Sequence, residues 1–331
     1  MIITLPLSYQ NSMKFSVIIL SYNSELKNIL MTIKSIILQE EIGQVQIVVA
    51  DDGSKQKWDS EIKVYLKKQG FANFIIVPGE ENVGTVKNIL RALPYAKGKY
   101  IKLIGAGDLL YNANVLEKVY SYMEDQQAKF VFGELQGYSI ANGIIKADVF
   151  SAPWNKKPYI KRKHNMIAEN MIFFGDFISG ASMFFEKNFF EKEIKNIENV
   201  VIYVEDIMQV IMCLGKRTFN YIPEELILYE VGSGISTSSK NGDSRMKKDE
   251  ERFWEYVNVQ YADNYWIKKR NRLNKYTKFI LRLTKTPVAY LKYKKWKLWD
   301  RFHQKPVKES AGFLTDAGFM DEFIKECIYE N

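Results

Sequence analysis

The sequence predicts an α/β protein: a Rossmann-like, mixed but mainly parallel sheet flanked by helices, followed by a helical C-terminal appendage. Three observations lead there. Over the first 125 residues, short apolar runs alternate with amphipathic stretches, the pattern of βαβ units around a parallel sheet. Short polar turns follow strands one, two and four, which right-handed crossovers gather on a single rim. With 331 residues, 47% hydrophobic and 26% charged, the chain can bury one large core and still carry an appendage.

In order, residues 1–13 read as a loose leader. Ser16–Leu20 is a β-branched strand ending in Ser21-Tyr22-Asn23. Ser24 then caps a helix whose apolar positions, Leu26, Ile29, Leu30, Ile33, Ile36 and Ile37, recur at helical spacing. Val45–Ala50 is a second strand, closed by Asp51-Asp52-Gly53-Ser54, and a lysine-rich helix runs on to Gly70. Phe74–Val77 is the third strand, after which Glu81-Asn82-Val83-Gly84 opens another helix. Tyr100–Ile104 is the fourth, a buried strand ending in Gly105-Ala106-Gly107-Asp108, with a helix from Asn112 to about Asp125. Phe130–Tyr138 and Gly143–Phe150 read as a hairpin around Asn142-Gly143. Pro153–Arg162 reads as a loop, Asn165–Phe174 as a helix and Ser182–Phe185 as a strand. Val204-Glu205-Asp206 opens an apolar helix stopped at Gly215, followed by two short strands at Phe219–Ile222 and Leu226–Tyr229. Beyond the polar loop Gly232–Ser239 the chain reads as helix from Asp243 to Asp300, broken at Pro287, with a last amphipathic helix over Asp316–Tyr329. The domain division is therefore 1–13, 14–232 and 233–331.

Composition excludes several classes. No apolar run reaches the ~20 residues of a membrane span, and the N-terminus lacks the basic region of a signal peptide. The two cysteines, Cys213 and Cys327, form no framework and read as free thiols of a reducing cytoplasm. With only His164 and His303, a histidine-built metal centre is not expected. The net charge of +8 is uneven: residues 267–308 hold fifteen Lys or Arg against the single acid Asp300, an excess of +14 that leaves the rest of the chain at −6. Aromatics such as Tyr293, Trp296 and Trp299 stand among those cations, a composition suited to an anionic membrane interface, to nucleic acid or to a solvated helical face.

Read as residues, the candidate site positions have more than one use. Asp108 sits beyond a strand end, where it can hold a metal or polar ligand or simply cap the next helix. Asp51 and Asp52 suit a turn stabilised by Asx hydrogen bonds as well as a ligand. Glu205 and Asp206 suit a helix first turn on dipole grounds alone.

Taken together, Ser21-Tyr22-Asn23, Asp51-Asp52-Gly53-Ser54, Asn82-Val83-Gly84, the Asp108 turn and Glu205-Asp206 resemble the family 2 glycosyltransferases over roughly Lys14–Tyr229. The resemblance implies a GT-A fold, a nucleotide-sugar donor and inverting transfer to a glycan hydroxyl. It also implies roles. Tyr22 would lie against the base, and Asp52 would accept the imide N–H of a uracil-like ring, while Asp51 keeps the turn role. Lys87 would face the diphosphate. Gly107, Gly180 and Glu205 count with the donor-binding positions. Asp108 would be the last acid of an Asp-x-Asp motif and bind Mn²⁺ or Mg²⁺, with Gly105 and Gly107 standing where companion acids are usual, which implies weaker cation affinity. Asp206 would be the general base. The same resemblance favours an acceptor in capsule or O-antigen synthesis, possibly lipid-linked, a cytoplasmic protein peripheral on the inner membrane face through 267–308, and no nucleic-acid partner. The missing acids leave a catalytically silent nucleotide- or glycan-binding homologue as the alternative. A nicotinamide oxidoreductase is disfavoured, because Gly105-Ala106-Gly107 lacks the further glycine of the dinucleotide fingerprint.

Overall fold

The computed structural model describes residues 13–141, 144–148, 151–232, 244–273 and 291. Period-2 strands open the chain. In β1 (Phe15–Ser21), Val17 and Ile19 pack into one apolar cluster and Ile18 into another, so the strand is buried on both faces. All seven residues of β2 (Val45–Asp51) are buried as well. Between them α1 (Leu26–Ile37) presents Ile29, Leu30, Ile33 and Ile36 to the first cluster. Next come α2 (Asp59–Lys68), β3 (Phe74–Pro78), α3 (Thr85–Ala92), β4 (Tyr100–Gly105), β5 (Leu109–Leu110) and α4 (Val115–Asp125). The long β6 (Phe130–Ala141) pairs antiparallel with β7 (Ile144–Asp148). The rest comprises α5 (Lys157–Ile160), α6 (His164–Phe174), β8 (Met183–Glu186), α7 (Lys187–Lys195), α8 (Met208–Leu214), β9 (Asn220–Glu230), α9 (Ser244–Gln260) and α10 (Tyr265–Leu273).

These strands form one mixed nine-stranded sheet, ordered β3-β2-β1-β4-β8-β6-β9-β5 with β7 on β6. The first four strands are parallel; β8 runs antiparallel to both β4 and β6, and β9 runs parallel to β6. Only Ala106, Gly107 and Asp108 separate β4 from β5, yet β5 pairs with β9 at the far end of the order. The second half of the sheet therefore curls around the Asp108 turn, and the pairing of Leu109 with Leu228 brings the end of β9 beside it.

Several elements differ from the sequence reading. The expected loop over 153–162 contains α5, and the two expected strands after residue 219 are one strand, β9, with irregular register opposite Glu134. Helix α7, absent from the sequence reading, buries Phe190 and Ile194 and starts where the Glu186 carboxylate accepts from the N–H groups of Asn188 (3.2 Å) and Phe189 (2.9 Å). The helix at Glu205 begins as a 3₁₀ turn, Glu205–Ile207. The C-terminal helical stretch breaks between α9 and α10, at 261–264. It is packed into the body: Phe253, Val257 and Ile267 are fully buried in the cluster that holds Met208 and Phe185. Among the described residues no helix is long and apolar enough to cross a membrane. The leader up to residue 12, the Asn142-Gly143 turn, Pro287, the helix expected at 316–329 and nearly all of the basic stretch beyond Leu273 lie outside the described residues.

Candidate active site

A cleft of about 730 Å³ opens beyond the carboxyl ends of β1, β2 and β4, within the ~300–1,000 Å³ usual for ligand sites. One wall is made by the turns after β1, β2 and β4 with the start of α3. The other comprises Ser179–Ala181, Tyr203–Asp206, Tyr229, Glu230 and Met246.

The first two turns are stitched together. Asn23, in the left-handed region at φ +52°, donates its N–H to Ser54 Oγ (2.7 Å), and its side-chain oxygen accepts from the N–H of Lys55 (3.0 Å). Tyr22 projects beside this knot and is 43% exposed, an open aromatic face at the cleft mouth. Asp51 accepts the N–H and hydroxyl of Ser54 and pairs with Lys57 at 2.6 Å. Asp52 turns inward, where its two oxygens accept the N–H groups of Val83 (3.1 Å) and Gly84 (2.9 Å). Burial raises the Asp52 pKa, while those two N–H groups and Arg91, 3.7 Å away, pull it back. Gly84 is at φ +88°, and a side chain there would collide with Ile202, so only glycine permits the N–H to face Asp52.

Asp108 is held by α1. Thr32 donates its hydroxyl to the Asp108 carbonyl (2.8 Å) and accepts the Gly107 N–H (2.9 Å). One Asp108 carboxylate oxygen accepts the Glu230 N–H at 2.9 Å. Burial pushes the Asp108 pKa up to about 7, opposed by that N–H and by the charge of Lys102. Lys102 is fully buried beneath the site, donating to the carbonyls of Ala181 and Met183 and lying 4.5 Å from the Phe184 ring centre. Burial pushes its pKa down to about 7.

Across the cleft, Asp206 accepts the Gly180 N–H at 3.2 Å. A Cβ at Gly180 would come within 2.9 Å of Glu205 Oε1 and 3.1 Å of Asp206 Cβ, so the turn can approach the pair this closely only as glycine. Burial raises the pKa of both carboxylates. For Glu205 the neighbouring Asp206 charge adds to the rise, whereas for Asp206 the Gly180 N–H restrains it.

Of the positions singled out in the sequence, Tyr22, Asp52, Asp108, Gly180, Glu205 and Asp206 all line this cleft. Lys87 does not. Thr85 and Asn88, three residues apart, face inward, while Lys87 falls on the exposed side of α3; the cation that reaches Asp52 is Arg91. Gly107 also lies off the cleft, buried behind it, where its carbonyl accepts the Tyr138 hydroxyl. The sequence reading missed Glu230. Its carboxylate fills the space a Cβ at Gly107 would need and accepts from Asn28 at 3.4 Å, so the glycine makes room for an acid from β9. Among the described lining residues six are acidic, namely Glu25, Asp52, Asp108, Glu205, Asp206 and Glu230, against one cation, Lys27. Among the described residues no group of three or more His, Cys, Asp or Glu converges to hold a metal ion.

The model of Glycosyl transferase family 2 matches residues 16–189, just over half of the chain. The chain belongs to that family. An uncharacterized glycosyltransferase of Methanocaldococcus jannaschii is 31% identical over 112 residues, 34% of this chain and 38% of that protein. The crystal structure of S. aureus TarS superposes with a TM-score of 0.50 at 18% identity, covering 76% of this chain and 44% of TarS, a likeness of fold. A shorter TarS form, residues 1–349 in complex with UDP-GlcNAc, gives a TM-score of 0.49 at 17% identity over 76% of this chain and 73% of that one. The chain thus spans less than half of the archaeal relative and of the longer TarS. The family match and the likeness to the longer TarS place the chain in the GT-A fold expected from its motifs.

Proposed function

We propose that this protein is an inverting glycosyltransferase that moves a sugar from a nucleotide-sugar donor, a UDP-sugar, to a hydroxyl of a growing surface glycan such as capsule or O-antigen. One observation carries the reading: Asp206 and Asp108, 98 positions apart in the chain, line one cleft together with Tyr22 and Asp52. Tyr22 offers the base a stacking face at the mouth. Asp52, fixed by Val83 and Gly84, stands where a ring N–H can reach its remaining lone pairs.

Asp206 accepts the proton of the acceptor hydroxyl as that oxygen attacks the anomeric carbon. The bond to the diphosphate oxygen breaks on the opposite face, and its electron pair leaves with the nucleoside diphosphate. General-base action of this kind contributes ~10²–10⁴-fold. Glu205 stands beside the base, its own pKa raised by burial and by the Asp206 charge.

A diphosphate entering a cleft of six acids and one lysine needs compensating positive charge. Asp108 and Glu230 are the acids that would hold a hard cation, with further positions left to phosphate and water: both line the cleft, and the Glu230 charge acts on Asp108. When bound, Mn²⁺ or Mg²⁺ supplies neutralisation of the charge that develops on the leaving diphosphate. Lys102 offsets part of the buried negative charge from beneath. Docking on anionic lipid through residues 267–308 is the reading of the basic tail.

The test is a thermal-shift screen of nucleotide sugars with and without Mn²⁺, followed by transfer assays with the stabilising donor. A UDP-sugar should stabilise the protein more in the presence of Mn²⁺ and then be turned over. Stabilisation without turnover, for any donor and acceptor, would favour the silent binding homologue.

A further inference from the structure

Helix α9 lies well beyond the segment the family model matches, yet it reaches the catalytic pair. Its Asp249 is fully buried. One oxygen, Oδ2, accepts three successive backbone N–H groups, those of Ile202 (3.0 Å), Tyr203 (2.6 Å) and Val204 (3.3 Å). The other oxygen accepts from Arg252, one helical turn on. Buried amides outside helices and strands need partners. Here a single carboxylate supplies all three, filling from within the chain a backbone nest that would otherwise suit an anion. Bonds to an ionised acceptor are about twice as strong as neutral ones, so the segment has one strongly favoured conformation.

That segment connects both walls of the cleft. On one side Val204 immediately precedes Glu205, and its carbonyl accepts the Ile207 N–H at 3.3 Å, closing the turn that carries Asp206. On the other side the Ile202 carbonyl accepts the Val86 N–H at 3.1 Å in the first turn of α3, and Ile202 packs on Gly84, whose N–H holds Asp52. The same helix brings Met246 into the cleft wall, Arg245 to 5.2 Å from the Tyr203 ring centre, and Glu250 close enough for its charge to act on Asp206.

We propose that Asp249 is a positioning residue: it fixes the Ile202–Val204 segment so that Asp206 faces the acceptor, which makes α9 a working part of the active site. The proposal rests on Asp206 being the base. Asp249 touches neither substrate nor reacting atoms, so its effect is on geometry, and a small displacement of a catalytic group is costly.

The test uses the full chain with Asp249→Asn, Arg252→Gln and Asp206→Asn, reading kcat and KM for a UDP-sugar alongside amide hydrogen exchange of the 200–208 stretch. Asp249→Asn keeps the shape but removes the charge. It should lower kcat by ~10–10²-fold, the scale expected of a displaced catalytic group, while the donor KM changes little. Exchange at 202–207 should quicken, with β1 and β2 still protected. Either an unchanged exchange rate or faster exchange with parental kcat would overturn the proposal. Should Asp249→Asn fail to fold, Arg252→Gln leaves the three N–H bonds in place and should move kcat and exchange in the same direction by less; no change in either would overturn the proposal. Parental turnover in Asp206→Asn would instead remove the base reading, and the exchange data would still judge whether Asp249 holds the loop.

Discussion

One wall of the cleft comes from turns that directly follow β1, β2 and β4. The other is gathered from a 3₁₀ turn, the end of β9 and a helix beyond residue 243. In the first wall each functional side chain sits within a few residues of the strand that presents it, and the stitching is between neighbouring turns, as with Asn23 and Ser54. In the second, the decisive bonds reach to elements later in the chain: Glu230 to Asp108 and Asp249 to Tyr203. The first wall is thus held by bonds between successive turns and carries Tyr22 and Asp52, the proposed nucleotide-binding residues. The second depends on the whole body being folded, and it carries the proposed base.

If that division of labour is right, substitutions should split between the walls. The largest effect is expected from Asp206→Asn, which should lower kcat by ~10²–10⁴-fold while leaving UDP binding, read by thermal shift, near the parental value. An equal loss of binding would erase the contrast between the walls. Next is Phe253→Ala. Phe253 is fully buried on α9, so this change should cost ~3–5 kcal/mol in urea unfolding, as for a core residue; a cost below ~1 kcal/mol would make α9 peripheral. Smaller again is Gly180→Ala, whose added methyl must displace Glu205 or Asp206 by a few tenths of an ångström. It should reduce kcat by about tenfold, the equivalent of ~1.4 kcal/mol, with the donor KM little changed. Smallest is Lys87→Ala, on the exposed face of α3, which should leave donor KM and stability unchanged within ~0.5 kcal/mol.

The contrast also explains what could be read in advance. The strands and turns up to Asp108 were legible because a buried parallel strand is a short apolar run and its turn is polar, both local signals. Because those turns are short and contiguous, their resemblance to the family 2 glycosyltransferases singles out Tyr22, Asp52 and Asp108. Lys87 lies off the cleft because apolar spacing predicts its helix but not the phase of that helix against the cleft: with Thr85 and Asn88 inward, position 87 faces solvent. Glu230 went unseen for the opposite reason. Its significance arises only when β5 pairs with β9 and the sheet curls, and no local pattern encodes that pairing. Asp249 is similar: in a charged helix it reads as a solvated acid, and only its burial against Ile202–Val204 gives it a task.

The central claim is that Asp206 works as an ionised base in a cleft whose burial raises its pKa. A base acts only when deprotonated, and an unperturbed aspartate loses its proton near pH ~3.9. With the pKa raised, activity should be full above the shifted value and fall as pH drops through it, giving an acid limb in kcat well above the ordinary aspartate range. The direct measurement is the pH profile of kcat with donor, acceptor and Mn²⁺ saturating. The account predicts that displaced acid limb in the parent protein; a kcat that stays level down to pH ~4, the range of an ordinary aspartate, would contradict it.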